Sequence, residues 1–387
     1  MDDFSFRTVG TIEVAWGGAA TLGSRLRDRF PPGPVLVVSD GGLRGAGLLD
    51  APLRDLAAAG YAPHLFDAVT ADPTDAAVKA AAASGRERGV GLVIGLGGGS
   101  SMDVAKLAAV LLGGDGELEA LYGVGRVTGK RLPLVLVPTT AGTGSEVTDI
   151  AIVTAGNDKL GVVAPPLLAD LALLDASLTV GLPATHTAAT GIDAMVHAIE
   201  AYTSRMRKNP VSDALAREAL RLLSGALLPA CRDGTNRAAR EAMLLGATLA
   251  GQAFCNAPVA AVHALAYPLG ARFHVPHGLS NALMLQPVLR FNARAAGQAY
   301  GELAAALDPG AVPPDAAPDA PAAQRFIAAM AFLVEGSGAP RRLRDVGVPE
   351  DALPVLAADA MRQTRLLVNN PVPVEEADAL ALYRQAF

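Results

Sequence analysis

Apolar runs that alternate with helical segments in the first half of the chain constrain its fold more than any other feature. PVLVVSD, from Pro34 to Asp40, predicts a buried strand, and APHLFDAV, GVGLVIGLG and LPLVLVPTT predict three more. Helical patterns such as TDAAVKAAAASGRERG and SMDVAKLAAVLL lie between these runs. Continuous apolar strands separated by helices are typical of a parallel sheet covered on both faces. The first part of the chain is therefore predicted to be an α/β domain.

The strand pattern fades from about Leu182, and helical periodicity replaces it in TAATGIDAMVHAIEAYTS, VSDALAREALRLLSGALLPA and AAREAMLLGATLAGQAF. A chain of 387 residues has room for about two domains. We expect an α/β domain over residues 1–181 and an all-α domain over residues 182–387. The Pro- and Ala-rich segment 308–323 is expected to be a surface excursion of the second domain, because proline lacks a backbone donor.

The composition excludes several classes of protein. Two cysteines, Cys231 and Cys255, are too few for a disulfide scaffold or a cysteine-based zinc module. A net charge of -6 is opposite in sign to what nucleic-acid binding usually requires. Glycine, proline or charged residues interrupt every apolar stretch before the ~18 residues of a membrane span, and the first residues, MDDFSFRTVG, do not resemble a secretion signal. We expect a cytoplasmic protein without a nucleic-acid or membrane partner.

A glycine-rich segment, GLGGGSSMD from Gly95 to Asp103, joins a predicted strand to a predicted helix. Glycines let a ligand approach the backbone, and the first amides of the helix, together with its dipole, favour a diphosphate. Ser100 or Ser101 could cap this helix. The segment departs from G-x-G-x-x-G, because Ser100 takes the third glycine position. A tight turn without a ligand is the alternative interpretation.

A second polar loop follows the next strand. PTTAGTGSEVT carries the hydroxyl groups of Thr139, Thr140, Thr143 and Ser145. Ligands of open parallel sheets bind beyond the carboxyl ends of the strands, so both loops are expected to meet there. Asp40, at the end of the first predicted strand, could accept both ribose hydroxyls of an adenosine and repel a 2'-phosphate, which favours NAD over NADP. The alternative is that Asp40 only caps the following helix.

Histidines cluster in the helical half, which contains four of the chain's six between His197 and His277. Asp193 and His197 are four residues apart in GIDAMVHAIEAY and therefore share one face of a helix. His263 and the pair His274 and His277 follow in VHALAYPLGARFHVPHG. A carboxylate with several imidazoles and no thiolate suits Fe(II) or Zn(II) better than magnesium or calcium. The alternative is that these histidines are core residues satisfied by hydrogen bonds.

Helix-breaking residues lie beside two of these histidines. Pro268 and Gly270 are expected to end the helix that carries His263. Pro276 and Gly278 flank His277 and fix its backbone, which favours it over His274 as a ligand.

These segments resemble the iron-containing, or type III, alcohol dehydrogenase family. GLGGGSSMDVAK, PTTAGTGSEVT, ATGIDAMVHAIEAY and VHALAYPLGARFHVPHGLSNAL follow the family's pattern in order, over nearly the whole chain. The resemblance implies a dehydroquinate synthase-like architecture, with a nucleotide-binding α/β domain, a helical metal-binding domain and an active site in the cleft between them. It implies that the metal ligands are Asp193, His197, His263 and His277. The implied metal is Fe(II), with Zn(II) as the alternative, and His274 is not a ligand. The implied NAD contacts are Asp40, Gly98, Gly99, Ser100, Asp103, Thr139, Thr140, Thr143, Val147, Lys159 and Leu178.

The resemblance further implies an NAD-dependent alcohol dehydrogenase or aldehyde reductase, with Lewis-acid hydride transfer and with His263, His277 and position 267 beside the reacting group. Many members have a second histidine at that position, where this chain has Tyr267, and a phenol rarely takes up a proton near neutral pH. Asp72 stands where an asparagine is frequent and adds negative charge near the expected adenosine pocket. The small apolar residues of TLAGQAFCNAPVAAVH favour a short alcohol or aldehyde.

Other functions remain open at this point. A hydroxyacid–oxoacid transhydrogenase would keep NAD bound while two substrates alternate. A lyase resembling dehydroquinate synthase would need basic residues around a phosphate, and near the metal-site segments Arg272 and Arg290 stand nearly alone. A catalytically silent nucleotide-binding module is the third alternative. We expect a homodimer or a larger homo-oligomer in each case.

Overall fold

The computed structural model describes residues 3–114, 116–156, 158–313 and 320–387. The chain divides into two compact units. The α/β unit comprises Arg7–Thr140 and Ser145–Thr179, and the helical unit comprises residues 3–6, Ala141–Gly144 and Val180–Phe387. Residues 314–319 of the Pro- and Ala-rich segment lie outside the described residues, so the predicted surface excursion over residues 308–323 falls partly on them.

The α/β unit contains two sheets. Its strands are β1 (Ile12–Val14), β2 (Pro34–Asp40), β3 (Ala62–Val69), β4 (Leu92–Gly97), β5 (Gly123–Val124), β6 (Leu134–Pro138), β7 (Ile150–Ala155), β8 (Asp158–Val163) and β9 (Leu171–Leu174). The larger sheet has the order β1-β9-β6-β4-β2-β3, and every pairing described in it is parallel. The smaller sheet has the order β5-β8-β7, in which β7 and β8 are antiparallel.

Both faces of the larger sheet are buried, because its strands carry apolar side chains at successive positions. On β2, Val35 and Val37 belong to one hydrophobic layer, and Leu36 and Val38 belong to the other. Helices cover the two layers. They are α1 (Leu22–Leu26), α2 (Gly41–Gly45), α3 (Asp50–Ala58), α4 (Asp75–Glu87), α5 (Gly99–Gly113) and α6 (Leu118–Leu121). The prediction of a parallel sheet covered on both faces is confirmed.

The strand order reverses between β2 and β4. From β2 the chain runs outward to β3, then returns to place β4 on the other side of β2 and continues through β6 to β9. The loops that follow β2 and β4 therefore start side by side, and Gly97 at the end of β4 lies opposite Pro138 at the end of β6. Such a reversal is where open α/β sheets bind their ligands.

The hairpin of β7 and β8 was not predicted from the sequence. These strands follow the polar loop PTTAGTGSEVT, and only Ala151 and Val153 of β7 are fully buried. The apolar run IAIV, which begins β7, was a signal that the sequence offered. The short strands β1 and β9 were also not predicted. Three or four residues are too few to show a periodicity on their own.

The helical unit contains α7 (Ala184–Thr203), α8 (Pro210–Arg232), α9 (Arg237–Asn256), α10 (Ala261–Phe273), α11 (His277–Ala304), α12 (Ala322–Gly336), α13 (Leu353–Met361), α14 (Thr364–Leu367) and α15 (Glu376–Ala386). No strand is described from Val180 onward, which agrees with the predicted all-α class. Helix α7 packs against α8, α9 and α11, and most of its residues are buried.

The prediction that Pro268 and Gly270 end the helix carrying His263 was wrong. Helix α10 continues to Phe273, with Pro268 in its interior. Proline removes one backbone hydrogen bond, and the packing of the buried Leu265 and Leu269 holds the helix together across it. The helix ends at His274, whose left-handed backbone (φ 54°) breaks the helical path.

Across the described part of the chain, no single helix has the length and apolar character needed to cross a membrane. Helices α9 and α10 reach that length together, but they meet at a bend of 105°. Both are largely buried in the helical unit.

Candidate metal centre and nucleotide site

Helix α7 presents three acidic or basic side chains on one buried face. Asp193, His197 and Glu200 are spaced by four and three residues, which places them one above another on a helix. Their exposed fractions are 2%, 5% and 3%. Asp193 and His197 were singled out in the sequence, but Glu200 was not, although its i+7 spacing from Asp193 was a visible signal.

Helices α10 and α11 bring two more histidines to this face. One ligand atom each from Asp193, His197, His263 and His277 lies within 4.8 Å of the other three. Asp193 Oδ1 is 3.8 Å from His197 Nε2, 3.7 Å from His263 Nε2 and 3.5 Å from His277 Nε2. The structure thus brings together the four residues that the resemblance implied. His274 is exposed and does not belong to this cluster.

The cluster has the dimensions and donor set of a site for a divalent ion. Four ligands at about 2.0–2.2 Å from a tetrahedral ion are about 3.3–3.6 Å from one another, close to the separations observed around Asp193. The amide group of Asn281 also lies against three of these ligand atoms. Asn281 Nδ2 donates to Asp193 Oδ1 (2.6 Å) and lies 3.2 Å from His263 Nε2 and 3.4 Å from His277 Nε2. A cation placed among these atoms would be bound by the lone pairs of all of them.

The protonation states suit a cation. Burial lowers the pKa of His197 to about 3, so this imidazole is neutral and keeps a lone pair. Burial acts to raise the pKa of Asp193, but the three imidazoles and the hydrogen bond from Asn281 outweigh it, and the net shift is downward. Asp193 is therefore a carboxylate beside the neutral imidazole of His197. A charged ligand with neutral imidazoles leaves the charge of a divalent ion only partly neutralised.

Aromatic rings form the walls around the cluster. Phe254 stacks on His197 with ring centroids 4.3 Å apart, and His197 stacks on His263 at 4.8 Å. His277, the most exposed of the four residues, has 36% of its side chain accessible. Tyr267 is half-buried and its ring centroid is 5.9 Å from that of His277. Within this unit, the side of the cluster that is open to solvent is therefore the side beside His277 and Tyr267.

In the α/β unit, the glycines of the first loop have different roles. A Cβ on Gly95 would lie 2.8 Å from Ala105 Cβ, and a Cβ on Gly97 would lie 2.6 Å from Ser101, so both glycines are needed for packing α5 against the sheet. A Cβ on Gly98 would make only ordinary van der Waals contact, with Thr140 3.7 Å away. Gly98 is also the N-cap of α5, so the prediction that Ser100 or Ser101 caps this helix was wrong.

Several residues implied as nucleotide contacts are engaged within the protein. Asp40 Oδ1 accepts a hydrogen bond from the Leu43 amide (3.0 Å) and caps α2, as the structural alternative predicted. Asp103 accepts from the Ser145 hydroxyl (2.6 Å) and the Ile152 amide (2.9 Å), which ties α5 to the smaller sheet. Burial raises the pKa of Asp103, with partial opposition from nearby Lys106.

The remaining implied contacts lie at or near the ends of the strands. Lys159, on β8, forms an ion pair with Asp72 (2.6 Å), which has a left-handed backbone (φ 51°). Thr143 belongs to the segment Ala141–Gly144, which groups with the helical unit because Gly144 approaches Gly251 closely. Of the remaining residues, Gly99 and Ser100 are the first residues of α5, and Thr140 is partly exposed. Thr139, Val147 and Leu178 are buried.

The sequence of this chain matches two models of one known family. The family described as iron-containing alcohol dehydrogenase matches residues 11–176, and the Fe-containing alcohol dehydrogenase family, C-terminal, matches residues 187–387. The chain belongs to the iron-containing alcohol dehydrogenase family. This confirms the resemblance seen in the sequence.

Individual relatives support the assignment. The chain is 41% identical over 377 residues to long-chain-alcohol dehydrogenase 1 of Geobacillus thermodenitrificans, covering 97% of this chain and 94% of the relative. Its fold is similar to that of a 1,3-propanediol oxidoreductase, with a TM-score of 0.94, 34% identity and full coverage of both chains. It is also similar to a sulfoacetaldehyde reductase of Bifidobacterium kashiwanohense in complex with NAD+, with a TM-score of 0.88, 25% identity and coverage of 100% and 99%. The protein is a metal-dependent oxidoreductase of the alcohol dehydrogenase type.

Proposed function

We propose that Asp193, His197, His263 and His277 hold one Fe(II) or Zn(II) ion, at which a short alcohol is oxidised or a short aldehyde reduced with NAD(H). The convergence of four ligand atoms within 4.8 Å carries this proposal. The ligand chemistry admits both metals, because imidazole and carboxylate suit either ion.

The roles of the residues follow from their positions. The bound ion supplies Lewis-acid polarisation of the substrate oxygen, and the nicotinamide accepts or donates the hydride. Asp193 contributes the negative charge of the ligand set, and the three imidazoles keep the site otherwise neutral. Stacking of Phe254 on His197 excludes water from the buried side. Tyr267, beside His277, can donate a hydrogen bond to a substrate oxygen but is a poor proton acceptor.

We propose that NAD binds where the strand order reverses, between the loops that follow β2 and β4. Gly98 and Gly99 would accommodate the diphosphate at the start of α5. Asp40 can cap α2 and still accept from a ribose, because a carboxylate has several acceptor positions. The other contacts are Ser100, Asp103, Thr139, Thr140, Thr143, Val147, Lys159 and Leu178.

Three further predictions belong to this proposal. Residues 1–181 are the NAD-binding domain and residues 182–387 the metal-binding domain. The protein works as a homodimer or a larger homo-oligomer, which light scattering on the purified protein would measure. Its location is the cytoplasm.

The decisive experiment compares two histidine variants. His263→Ala should abolish both metal retention and the aldehyde-dependent oxidation of NADH, because it removes a ligand that is 2% exposed and central in the cluster. His274→Asn is the matched control, since asparagine tolerates the left-handed backbone and His274 lies outside the cluster. It should retain metal and activity. A metal-free, active His263→Ala protein would refute the proposal.

Substrates can be distinguished in the same assay. Aldehydes of increasing chain length, with NADH or NADPH, would test the preference for a short substrate and for NAD. Oxidation of an alcohol or hydroxyacid that requires a keto acid as the hydride acceptor, despite added NAD, would instead identify a transhydrogenase. Turnover of a phosphorylated sugar without net change in NADH would identify the lyase alternative.

A further inference from the structure

Glu200 is a buried carboxylate that lies next to the proposed metal ligands without belonging to them. It is 3% exposed and projects from the same face of α7 as Asp193 and His197. Burying a carboxylate is unfavourable unless its oxygens accept hydrogen bonds. Its partners therefore indicate what it does.

Glu200 accepts three hydrogen bonds, all from the start of α10. Oε1 accepts from the Val262 amide (2.6 Å), and Oε2 accepts from the Ala260 amide (2.9 Å) and from His263 Nδ1 (2.6 Å). The amides belong to the first turn of α10, whose N-cap, Ala260, has only a methyl side chain. A side chain from another helix thus caps α10 and also binds its histidine.

The bond to His263 determines which ring nitrogen carries the hydrogen. A carboxylate oxygen can only accept, so Nδ1 is the donor and Nε2 keeps its lone pair. Nε2 is the atom that lies 3.7 Å from Asp193 Oδ1 in the cluster. The other tautomer would point an N–H at the position of the ion, and His263 could not bind it.

We propose that Glu200 is a positioning residue for the metal, which holds His263 in the ligating tautomer and fixes the start of α10 relative to Asp193 and His197. This inference rests on the proposed function, because it assumes that the cluster binds a divalent ion. Removal of a carboxylate that orients a ligating histidine typically lowers metal affinity by about 10–100-fold. Their charge also offsets that of the ion.

The test is Glu200→Gln, which keeps the size of the side chain. Each Glu200 oxygen is an acceptor, so the amide of glutamine must place its NH2 group against at least one backbone N–H. If the NH2 group faces His263, it also imposes the wrong tautomer. We expect Zn(II) affinity of the chelator-treated protein, measured by competition with a chromogenic chelator, to fall about 10–100-fold.

Asn236→Ala is the matched control for the capping role. Asn236 accepts from the Ala239 amide (3.0 Å) and caps α9 in the same unit, but it does not belong to the cluster. It should lower the thermal stability of the metal-free protein and leave Zn(II) affinity unchanged. In metal-free protein labelled with ¹⁵N-histidine, the His263 ring signals should report a protonated Nδ1 in the wild type and in Asn236→Ala.

The outcomes separate this inference from the proposed function. If the wild type binds no Zn(II), the proposed metal site is wrong. If the wild type binds Zn(II) and Glu200→Gln binds it equally well, or Asn236→Ala weakens binding as much, the role of Glu200 is refuted. Should Glu200→Gln not fold, Glu200→Asp keeps the charge but shortens the reach, and it must also weaken Zn(II) binding. Wild-type affinity in a folded Glu200→Asp protein would overturn the inference.

Discussion

A methyl group added at Gly278 should disable the metal centre from outside its ligand set. Gly278 follows His277 in the first turn of α11, and a Cβ there would lie 2.2 Å from the carbonyl oxygen of Ala189 and 2.6 Å from its carbonyl carbon. Ala189 is in α7, one turn before Asp193. Gly278 does not have a left-handed backbone, so the glycine is needed for space between the helices.

The size of the displacement follows from these distances. A carbon atom and a carbonyl oxygen rarely approach within about 3.2 Å, so α11 would have to move about 1 Å away from α7 at this point. His277 Nε2, now 3.5 Å from Asp193 Oδ1, would move with it. Metal–ligand distances tolerate about 0.2 Å. A misplacement of this size can lower kcat/KM by about 100-fold.

Two measurements test this prediction on Gly278→Ala: Zn(II) affinity by chelator competition, and kcat/KM for an aldehyde with NADH. Gly297→Ala is the control on the same helix, because a Cβ there meets no atom within 4 Å. It should keep full affinity and stabilise the protein by about 0.5–1 kcal/mol, as alanine does in a helix interior. Wild-type affinity and turnover in Gly278→Ala would contradict the packing argument.

The other predictions concern charge. His197 has a pKa lowered to about 3 by burial, so the unfolded chain binds a proton below pH 6.5 that the folded metal-free protein does not. The free energy of unfolding of the metal-free protein should be highest above that pH and decrease by about 1.4 kcal/mol per pH unit below it. Urea unfolding at several pH values would measure this dependence, which should be weaker in His197→Gln. Asp72→Asn removes the exposed partner of Lys159, so the KM for NADH should fall by up to about fivefold, and an unchanged KM would argue against a role of Lys159 in cofactor binding. Tyr267→His should add an ionisation at pH ~6.5 to the pH profile of kcat/KM. A histidine far from the reacting group would leave that profile unchanged.

Much of the site could be predicted because its signals are local in the sequence. Asp193 and His197 are one helical turn apart, and α7 is long enough for its period to be unmistakable. The loop after β4 was recognisable because it joins an apolar strand to a helix. His263 and His277 were candidates from the residues themselves, with Pro276 and Gly278 favouring His277 over His274, and the family pattern then implied the complete ligand set.

Other parts could not be predicted because they depend on contacts between distant residues. The acceptor for the first turn of α10 is Glu200, 60 residues earlier, where the sequence at Ala260 offers no cap. Pro268 and Gly270 looked like a helix end, and only packing around α10 keeps that helix intact.

The sequence by itself determined the periodic elements, the parallel sheet and the types of ligand available, because strand and helix periods and the chemistry of side chains are properties of short segments. Tertiary structure alone decided which acceptor would orient His263, why Gly278 must lack a side chain, and which glycines of the first loop pack and which remain open. These depend on distances between helices and strands far apart in the chain, and such distances follow from the packing of the whole unit.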